Sequence, residues 1–266
     1  MKENKKIINK IIVHGGVFHA DDVMTVALAQ VINPDIEIER VFAVPKDLPE
    51  DVIVADIGDG EYDHHQTDAK LRPNGQKYAA CGLFFDDFWN RIFQTEEFKK
   101  KFEEDYIIPI ELNDNGVASN PLSKMISSYV PVWNDPTPMD FAFTSAVCVV
   151  RELIYNAQAE ESAVIVAKAK IDASLEESTN DVVILNTFVP WQSYIVPTNK
   201  RFVIYPSRGQ WTLQSVPVTY GSFQCRTPLP EQWLEQKPEG CTFVHTGLFL
   251  AAFTNREDAI QAANNL

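Results

Sequence analysis

The chain has 266 residues, of which 45% are hydrophobic and 23% are charged, and its formal net charge is −14. A globular chain of this length forms one large domain or two modest ones with a sizeable buried core. The acidic balance excludes a protein that coats duplex DNA, because such proteins need clustered Lys and Arg residues to displace counterions from phosphates. The acidic balance does not exclude a confined binding site for a polyanion, since divalent ions can supply positive charge locally.

The N-terminal quarter of the chain predicts an α/β layer. Residues 7–13 and 52–57 are apolar runs, largely β-branched, of the kind that form strands buried on both faces of a parallel sheet. Between them the pattern predicts a helix over residues 21–32 and a further strand over residues 36–44. Ligands of such proteins bind beyond the carboxyl ends of the strands.

The middle of the chain is predicted to be mainly helical. Residues 78–93 and 96–106 have the helical spacing of segments that pack over a sheet. Prolines then indicate an irregular stretch over residues 121–138. Strong helical periodicity from residue 139 to about residue 175 predicts a connector between two lobes.

From residue 181 onward, short runs of β-branched and aromatic residues alternate with Pro and Gly, which predicts a smaller strand-rich domain. Thr254-Asn-Arg-Glu257 has the pattern of a capping box and predicts a closing helix through Ala263. Three parts are therefore expected: a metal-binding catalytic domain over residues 1–138, a helical connector over residues 139–178 and a C-terminal substrate-binding domain over residues 179–266.

Four of the five histidines lie in two clusters near the ends of predicted strands. The clusters are His14-Gly-Gly-Val-Phe-His19-Ala-Asp21-Asp22 and Asp63-His64-His65, and Asp56 lies in the strand-like run between them. Each piece has a structural alternative: acids suit the first turn of a helix, an Asp can cap a turn, and paired histidines can occupy a solvated turn. Because metal-capable residues end several separate apolar segments, a site for two divalent ions is the better interpretation.

Asp114 in Asn113-Asp114-Asn115-Gly116 is by itself typical of an ordinary turn at a helix end. Together with the two histidine clusters and Asp56, however, this segment resembles the DHH phosphoesterase superfamily. The resemblance is closer to the branch named after melanocyte proliferating gene one, a family of metal-dependent hydrolases with members described as RNA exonucleases. Similar segments in the C-terminal half include Val189-Pro-Trp191 and Phe243-Val-His245. The resemblance implies a DHH-like, mainly parallel sheet flanked by helices, followed by a smaller α+β domain.

The resemblance also implies how the site residues divide their roles. The implied metal ligands are His14, His19 and Asp21 at the first strand, Asp56 as a bridge with a part in catalysis, and His64 and Asp114 at the second ion. His65 would act on the substrate as a catalytic residue, and the roles of His64 and His65 can be reversed. The implied ions are Mn2+ or Mg2+, although the side-chain chemistry alone suits zinc or cobalt equally.

Two residues of the C-terminal domain are candidate substrate contacts. A single histidine beside apolar residues, such as His245, is most often a core or interface residue. Most arginines are surface residues, but a guanidinium such as that of Arg226 matches a phosphate through two hydrogen bonds. We therefore keep both the structural and the substrate-binding interpretation of each.

These observations predict a divalent-metal-dependent phosphodiester hydrolase, a 3′–5′ exonuclease on short single-stranded RNA that activates water with two metal ions. One alternative is a hydrolase of small phosphoesters, phosphoanhydrides or nucleotides. Another is a non-catalytic protein that retains metals for folding, in which the ions would be coordinatively saturated.

The sequence also predicts a cytoplasmic protein without a membrane partner. The four cysteines are widely spaced and form no Cys-x-x-Cys pair, which argues against a disulfide framework or a zinc knuckle. No apolar run approaches the roughly 20 residues of a membrane span. The apolar stretch near the N-terminus is too short for a signal peptide.

Overall fold

The computed structural model describes residues 7–178 and 180–266. The first six residues of the predicted catalytic domain and residue 179 of the predicted C-terminal domain lie outside these ranges. The chain divides into two compact units, one ending at Glu161 and the other starting at Ser162. The architecture is mixed α/β, with a three-stranded parallel sheet in the first unit and a five-stranded mixed sheet in the second.

The first unit is built on a sheet with the strand order β2-β1-β3. Its strands are β1 (Lys10–His14), β2 (Glu37–Val41) and β3 (Val52–Val54), and helix α1 (Ala20–Ile32) connects β1 to β2. The central strand β1 is buried over Ile11 to Val13, as predicted for a strand covered on both faces. Strand β3 is shorter than predicted because the chain turns at Asp56, whose backbone N–H donates to the Tyr62 carbonyl (2.9 Å).

Helices follow the sheet in the order α2 (Ala80–Phe88), α3 (Glu96–Phe102), α4 (Ile108–Asp114), α5 (Pro121–Ser127) and α6 (Met139–Glu177). The predicted helix over residues 96–106 is interrupted, because a π-helical turn (Glu103–Ile107) separates α3 from α4. Pro109 follows at the start of α4, where its missing N–H is tolerated.

The prediction of an irregular stretch over residues 121–138 is wrong for its first seven residues, which form α5. Asn120 caps this helix by accepting a hydrogen bond from the Leu122 N–H (3.0 Å), and Pro121 occupies the first turn. Helix α6 confirms the long helix predicted from residue 139 and continues from the first unit into the second. The three-part domain division stays a prediction.

The second unit contains a sheet with the strand order β4-β5-β6-β8-β7, in which only β4 and β5 pair in parallel. Its elements are β4 (Val182–Ile184), α7 (Gln192–Ile195), β5 (Phe202–Ser207), β6 (Gln210–Ser215), β7 (Cys241–Val244), β8 (Leu250–Phe253) and α8 (Arg256–Asn264). Along β5, Phe202 and Ile204 join one hydrophobic cluster, whereas Val203 and Tyr205 join another. Since side chains alternate along a strand, both faces of this sheet are covered.

The closing helix α8 is confirmed, but it begins differently from the prediction. Asn255 is its cap and accepts a hydrogen bond from the Asp258 N–H (2.9 Å). The Thr254 hydroxyl lies instead 3.2 Å from the Gly240 carbonyl. Within the described ranges, all four cysteines are free thiols and no helix has the length and apolar character of a membrane span.

Candidate metal centre

Acidic and imidazole side chains meet at the carboxyl edge of the three-stranded sheet. His14 ends β1, Asp56 follows β3, and Asp21 and Asp22 lie in the first turn of α1. Because β1 and β3 are parallel neighbours, their carboxyl ends lie side by side. The structure therefore brings together residues that are more than 40 positions apart in the sequence.

One group of potential ligands consists of His14, Asp22 and Asp56. The Nε2 atom of His14 lies 3.2 Å from Asp22 Oδ2 and 3.4 Å from Asp56 Oδ2. The other ring nitrogen of His14 lies 3.1 Å from the Gly15 carbonyl oxygen, a contact that commonly orients a metal-binding histidine. Asp22 Oδ1 accepts hydrogen bonds from the backbone N–H groups of His19 and Val23 (both 2.9 Å), which leaves Oδ2 directed at His14.

A second group consists of Asp21, His64 and Asp114. The Nε2 atom of His64 lies 3.7 Å from Asp21 Oδ2, 3.2 Å from Asp114 Oδ2 and 3.3 Å from Asp56 Oδ1. Asp56 thus places one carboxylate oxygen beside each group. A carboxylate in this position could bridge two divalent ions, one at each group.

Asp21 is oriented by the N-terminus of α2. Its two carboxylate oxygens accept hydrogen bonds from the backbone N–H groups of Ala80 (2.8 Å) and Cys81 (2.7 Å). A helix N-terminus stabilises negative charge because its first N–H groups are unpaired and its dipole is positive there. The same contacts join α1 to α2 directly behind the cluster.

His64 and His65 occupy different environments. The His64 side chain is 5% exposed and contacts the carboxylates, whereas the His65 side chain is 61% exposed. His65 Nδ1 also lies 3.7 Å from Asp56 Oδ1, and His65 forms a third group of potential ligands with Asp56 and His64. His65 Nδ1 lies 2.7 Å from Asp63 Oδ1, which also accepts from the backbone N–H groups of His64 and His65. Asp63 therefore fixes the His65 ring while the Nε2 edge stays accessible.

Burial and mutual charge shift the pKa values of the cluster. Burial raises the pKa of Asp21 well above its usual range and raises the pKa of Asp22 to about 7. Burial also acts to raise the pKa of Asp56, but the imidazole groups of His14 and His64 beside its carboxylate outweigh this effect and lower the pKa to about 2. The hydrogen bond with Asp56 raises the pKa of His14 to about 9. Desolvation opposes protonation of His64, yet Asp114 and Asp56 raise its pKa to about 10.

These shifts predict that metal binding releases protons. In the metal-free protein His14 and His64 are protonated at neutral pH, whereas a histidine must be deprotonated to bind a metal. We expect the affinity for Mn2+ to increase as the pH rises from 6 to 9, with release of at least about two protons per chain at pH 7.5, two from the histidines and further protons from Asp21 and Asp22, whose pKa values are also raised. Calorimetry in two buffers of different ionisation enthalpy measures this number. An affinity independent of pH over that range would contradict the assignment.

The donor atoms fit divalent metal ions. Among the described residues, the buried side-chain atoms without a hydrogen-bond partner include Asp22 Oδ2, Asp56 Oδ1 and both ring nitrogens of His64. Buried polar atoms normally find a partner because leaving them unpaired is costly. Divalent cations at the two groups would pair with Asp22 Oδ2, Asp56 Oδ1 and the Nε2 atom of His64, and a mixture of carboxylates and imidazoles suits several divalent ions.

A cleft of about 400 Å3 opens at the cluster. It is lined by His14, Asp56 and Asp114 from the two groups, and by His19 and His65. Structural metal sites are closed by their protein ligands, whereas catalytic sites keep a position open for water or substrate. Ions held here would therefore be accessible from the cleft.

The structure distributes the acids of α1 differently from the roles implied by the resemblance. Asp21 belongs to the group of His64 and Asp114, and Asp22, which the sequence did not identify as a ligand, belongs to the group of His14. His19 precedes α1, is exposed and lies with its ring centroid 5.7 Å from that of His14. It is outside the candidate groups found among the described residues but lines the cleft.

In the second unit, the two predicted substrate contacts have local partners. His245 Nδ1 accepts a hydrogen bond from the Gly247 N–H (2.9 Å), and its ring centroid lies 4.2 Å from that of Phe249. The guanidinium of Arg226 donates to three backbone carbonyls, those of Val196, Thr198 and Lys200. Arg226 therefore ties the segment after α7 to the strands of its own unit.

Arg226→Met is expected to lower the free energy of unfolding by about 1–3 kcal/mol, because three partly buried carbonyls lose their donors. Urea denaturation measures the loss. Arg208→Met is the matched control, since Arg208 is exposed in the same unit. Equal stability of the two variants would show that the contacts of Arg226 do not stabilise the fold. Substrate binding would then be the better interpretation of this side chain.

The chain is similar to known proteins over most of its length. The model of the MYG1 exonuclease family, described as "Uncharacterised protein family (UPF0160)", matches residues 10–266. Similar proteins include MYG1 exonuclease of Homo sapiens, 27% identical over 94% of this chain and 83% of the human protein. The MYG1 proteins of Schizosaccharomyces pombe and Saccharomyces cerevisiae are each 24% identical, over 96% and 99% of this chain and 96% and 97% of their own lengths. The resemblance seen in the motifs is thereby confirmed, and the chain belongs to the MYG1 exonuclease family.

Proposed function

We propose that this protein is a divalent-metal-dependent phosphodiester hydrolase that trims short single-stranded RNA in the 3′–5′ direction. The position of Asp56 is the observation that carries the proposal, because its two oxygens lie beside two different groups of ligands. Centres with two ions about 3.5–4 Å apart need such a bridge. The name of the human relative, MYG1 exonuclease, supports a nucleic acid as the substrate.

Two divalent ions bound at these groups would supply an activated water molecule and positive charge opposite the phosphate. We assign His14 and Asp22 to one ion, Asp21, His64 and Asp114 to the other, and Asp56 to both. His19 at the rim of the cleft is kept as a further ligand of the first ion. Mn2+ or Mg2+ are the ions that we propose, as the family resemblance implies, and the four carboxylates of the donor set are compatible with them.

His65 is proposed to act on the substrate rather than on the ions. Its ring is oriented by Asp63, and its side chain is largely exposed at the cleft. A histidine whose Nδ1 is fixed by a carboxylate can exchange a proton or donate a hydrogen bond through Nε2. His65 would thus stabilise the charge that develops on the phosphate or on the leaving oxygen.

The remaining parts of the proposal concern the architecture. We propose that the parallel sheet and its helices form a DHH-like catalytic domain over residues 1–138 and that residues 139–178 are the connector. Residues 179–266 would bind substrate, with His245 as the contact residue and Arg226 in a supporting position. We also propose a cytoplasmic location, supported by the four free cysteines.

Hydrolysis of small phosphoesters, phosphoanhydrides or nucleotides is the second candidate function. The sequence up to Glu161 contains 28 acidic and 15 basic residues, so the unit that carries the candidate metal centre repels a long polyanion. A substrate with one or two phosphates would be repelled less. The open cleft argues against the third possibility, a protein that binds metals only for its own folding.

The test is an activity measurement on metal-stripped protein resupplied with Mn2+, using a short RNA labelled at its 5′ end and a panel of small phosphoesters. Stepwise shortening of the labelled RNA is the result expected for a 3′–5′ exonuclease. Immediate release of the labelled nucleotide would indicate the opposite, 5′–3′ direction. Turnover of the small phosphoesters alone would favour the second candidate function. Bound Mn2+ without any turnover would support the non-catalytic protein.

A further inference from the structure

Four aromatic rings form a connected row on the second unit. The ring centroids are 6.3 Å apart between Phe243 and His245, 4.2 Å apart between His245 and Phe249, and 6.3 Å apart between Phe249 and Phe223. The two inner rings are partly buried, whereas Phe243 is 50% exposed and Phe223 is 85% exposed. The row therefore ends in two phenyl rings that are accessible to solvent.

The row is assembled from two segments, the hairpin of β7 and β8 and the segment that follows β6. Phe243 lies on β7, which is an edge strand of the sheet, and Phe249 lies immediately before β8. Phe223 comes from the segment that follows β6. Single exposed hydrophobic residues are common on protein surfaces, but here rings from two segments are in contact. Neighbouring rings are inclined to one another by 81°, 45° and 62°, so each exposed terminal ring presents its own face to a flat partner.

Polar groups lie at both ends of the row. Beside Phe223 and Phe249 is a cavity of about 250 Å3 that is also lined by Gln192, Gln214 and Ser222. Gln214 Oε1 accepts a hydrogen bond from the Tyr205 hydroxyl (2.6 Å), and its amide NH2 is a donor. At the other end, Lys237 Nζ lies 3.0 Å from the carbonyl of Thr242, the residue before Phe243. Aromatic faces with nearby amides and a cation match a nucleobase and its phosphate.

The distribution of charge favours the second unit as the place where a polyanion binds. From Ser162 onward the sequence contains nine acidic and eight basic residues, compared with 28 acidic and 15 basic residues before it. A nearly neutral surface neither repels a nucleic acid nor holds it mainly through its phosphates. Stacking of unpaired bases on aromatic rings supplies affinity in such a case, and it tolerates different base sequences.

We propose that the row of Phe243, His245, Phe249 and Phe223 is a stacking platform for the unpaired bases of single-stranded RNA. The proposal rests on the proposed function and specifies how its substrate is bound. One base stacks on each exposed terminal ring, and the amides of the cavity contact the edge of the base on Phe223. His245 gains a defined place in substrate binding, as a member of the row.

Equilibrium binding tests this platform without hydrolysis. The full chain is titrated in excess chelator with a fluorescent single-stranded RNA and with an abasic strand of equal length. Wild-type protein is expected to bind the RNA at least about 10-fold more tightly than the abasic strand. Phe223→Leu and Phe243→Leu should each weaken RNA binding about 10-fold and leave binding of the abasic strand unchanged. Phe223→Tyr, which keeps an aromatic face, should bind RNA as the wild type does.

The control variant is Tyr220→Ala, which removes a ring that is 71% exposed in the same segment but is not part of the row. Equal affinity of the wild type for RNA and the abasic strand would overturn the platform, as would equal losses in Phe223→Leu and Phe223→Tyr. If Phe223→Leu changes the oligomeric state but not the affinity for RNA, the row is a contact between copies of the chain. That result would also overturn the platform.

Failure of the platform and failure of the proposed function are distinguishable. Mn2+-dependent hydrolysis of bis(p-nitrophenyl) phosphate by the wild type reports on the metal centre without any base to stack. Hydrolysis of this compound without base-dependent RNA binding removes only the platform. Base-dependent binding by a protein that hydrolyses no phosphodiester retains the platform and removes the hydrolase.

Discussion

Asp56→Asn is expected to abolish Mn2+-dependent hydrolysis, with a fall in kcat of at least about 1,000-fold, while the metal-free protein keeps its fold. The carboxylate of Asp56 contributes one oxygen to each ligand group, and a neutral amide cannot replace it as an anionic bridge. Asp56 has a φ of +58°, and Asn is among the few residues that tolerate this conformation. The backbone turn that presents the side chain is therefore retained.

Thermal unfolding gives a second readout of the same variant. At a Mn2+ concentration 100-fold above its dissociation constant, the wild type should gain about 2.7 kcal/mol of stability from the bound metal. Asp56→Asn should lose most of this gain. Its metal-free form should be less stable than the metal-free wild type at neutral pH, because the lowered pKa of Asp56 means that its charge, held between His14 and His64, stabilises the folded protein.

Asp59→Asn is the matched control for this experiment. Asp59 also lines the cleft and has a φ of +56°, but it belongs to none of the candidate ligand groups among the described residues. Activity and metal-induced stabilisation of Asp59→Asn are expected to stay within a few-fold of the wild type. If Asp56→Asn behaves in the same way, Asp56 is not the bridge.

Arg72→Ala is expected to lower the free energy of unfolding by about 3–5 kcal/mol, because it leaves a buried carboxylate without its charge partner. Arg72 Nε donates to Glu111 Oε2 (2.6 Å), and Nη1 donates to Glu103 Oε1 (2.5 Å). Glu111 is fully buried, and burial raises its pKa. The packing around it is tight, since a Cβ atom on Gly82 would lie 1.7 Å from Glu111 Oε1.

The loss of Arg72 should also weaken metal binding. Glu111 and Asp114 lie on the same helix, α4, so displacement of Glu111 shifts the position from which Asp114 reaches His64. Urea denaturation measures the stability, and Mn2+ titration measures the affinity.

Lys101→Ala provides the comparison for Arg72→Ala. The Lys101–Glu160 ion pair has a similar N–O distance (2.6 Å), but both side chains are about half exposed. Removing a solvent-exposed pair costs about 1 kcal/mol or less. Losses of similar size in the two variants would contradict the view that burial of Glu111 makes the Arg72 contact important.

The sequence predicted those elements whose pattern is local. Helix α1 and helix α6 follow apolar periodicity, and β1 follows the β-branched run from Ile11 to Val13. Helix α5 was not predicted because Pro121 and the prolines at 131, 136 and 138 indicated an irregular stretch, whereas Pro121 occupies a first turn that Asn120 caps. The π-helical turn before Pro109 was not predicted either, because it depends on how the following helix packs.

The same distinction applies to the candidate site. The sequence indicated that His14, Asp56 and His64 would lie together, because strand ends of a parallel sheet share an edge. It did not separate the partners of Asp21 from those of Asp22, since the orientation of Asp21 depends on N–H groups that lie 59 and 60 residues away. The sequence likewise did not reveal the partners of Arg226, because these carbonyls belong to residues after α7 that lie 26–30 positions away in the chain.

Electron paramagnetic resonance during a Mn2+ titration is the most direct test that two bridged ions bind at Asp56. We predict that the metal-stripped wild type binds two Mn2+ ions per chain and that their spectrum is that of a magnetically coupled pair. Asp56→Asn should lose this coupling, whereas Asp59→Asn should keep it. A single uncoupled ion in the wild type, or two ions whose coupling survives in Asp56→Asn, would contradict a centre bridged by this carboxylate.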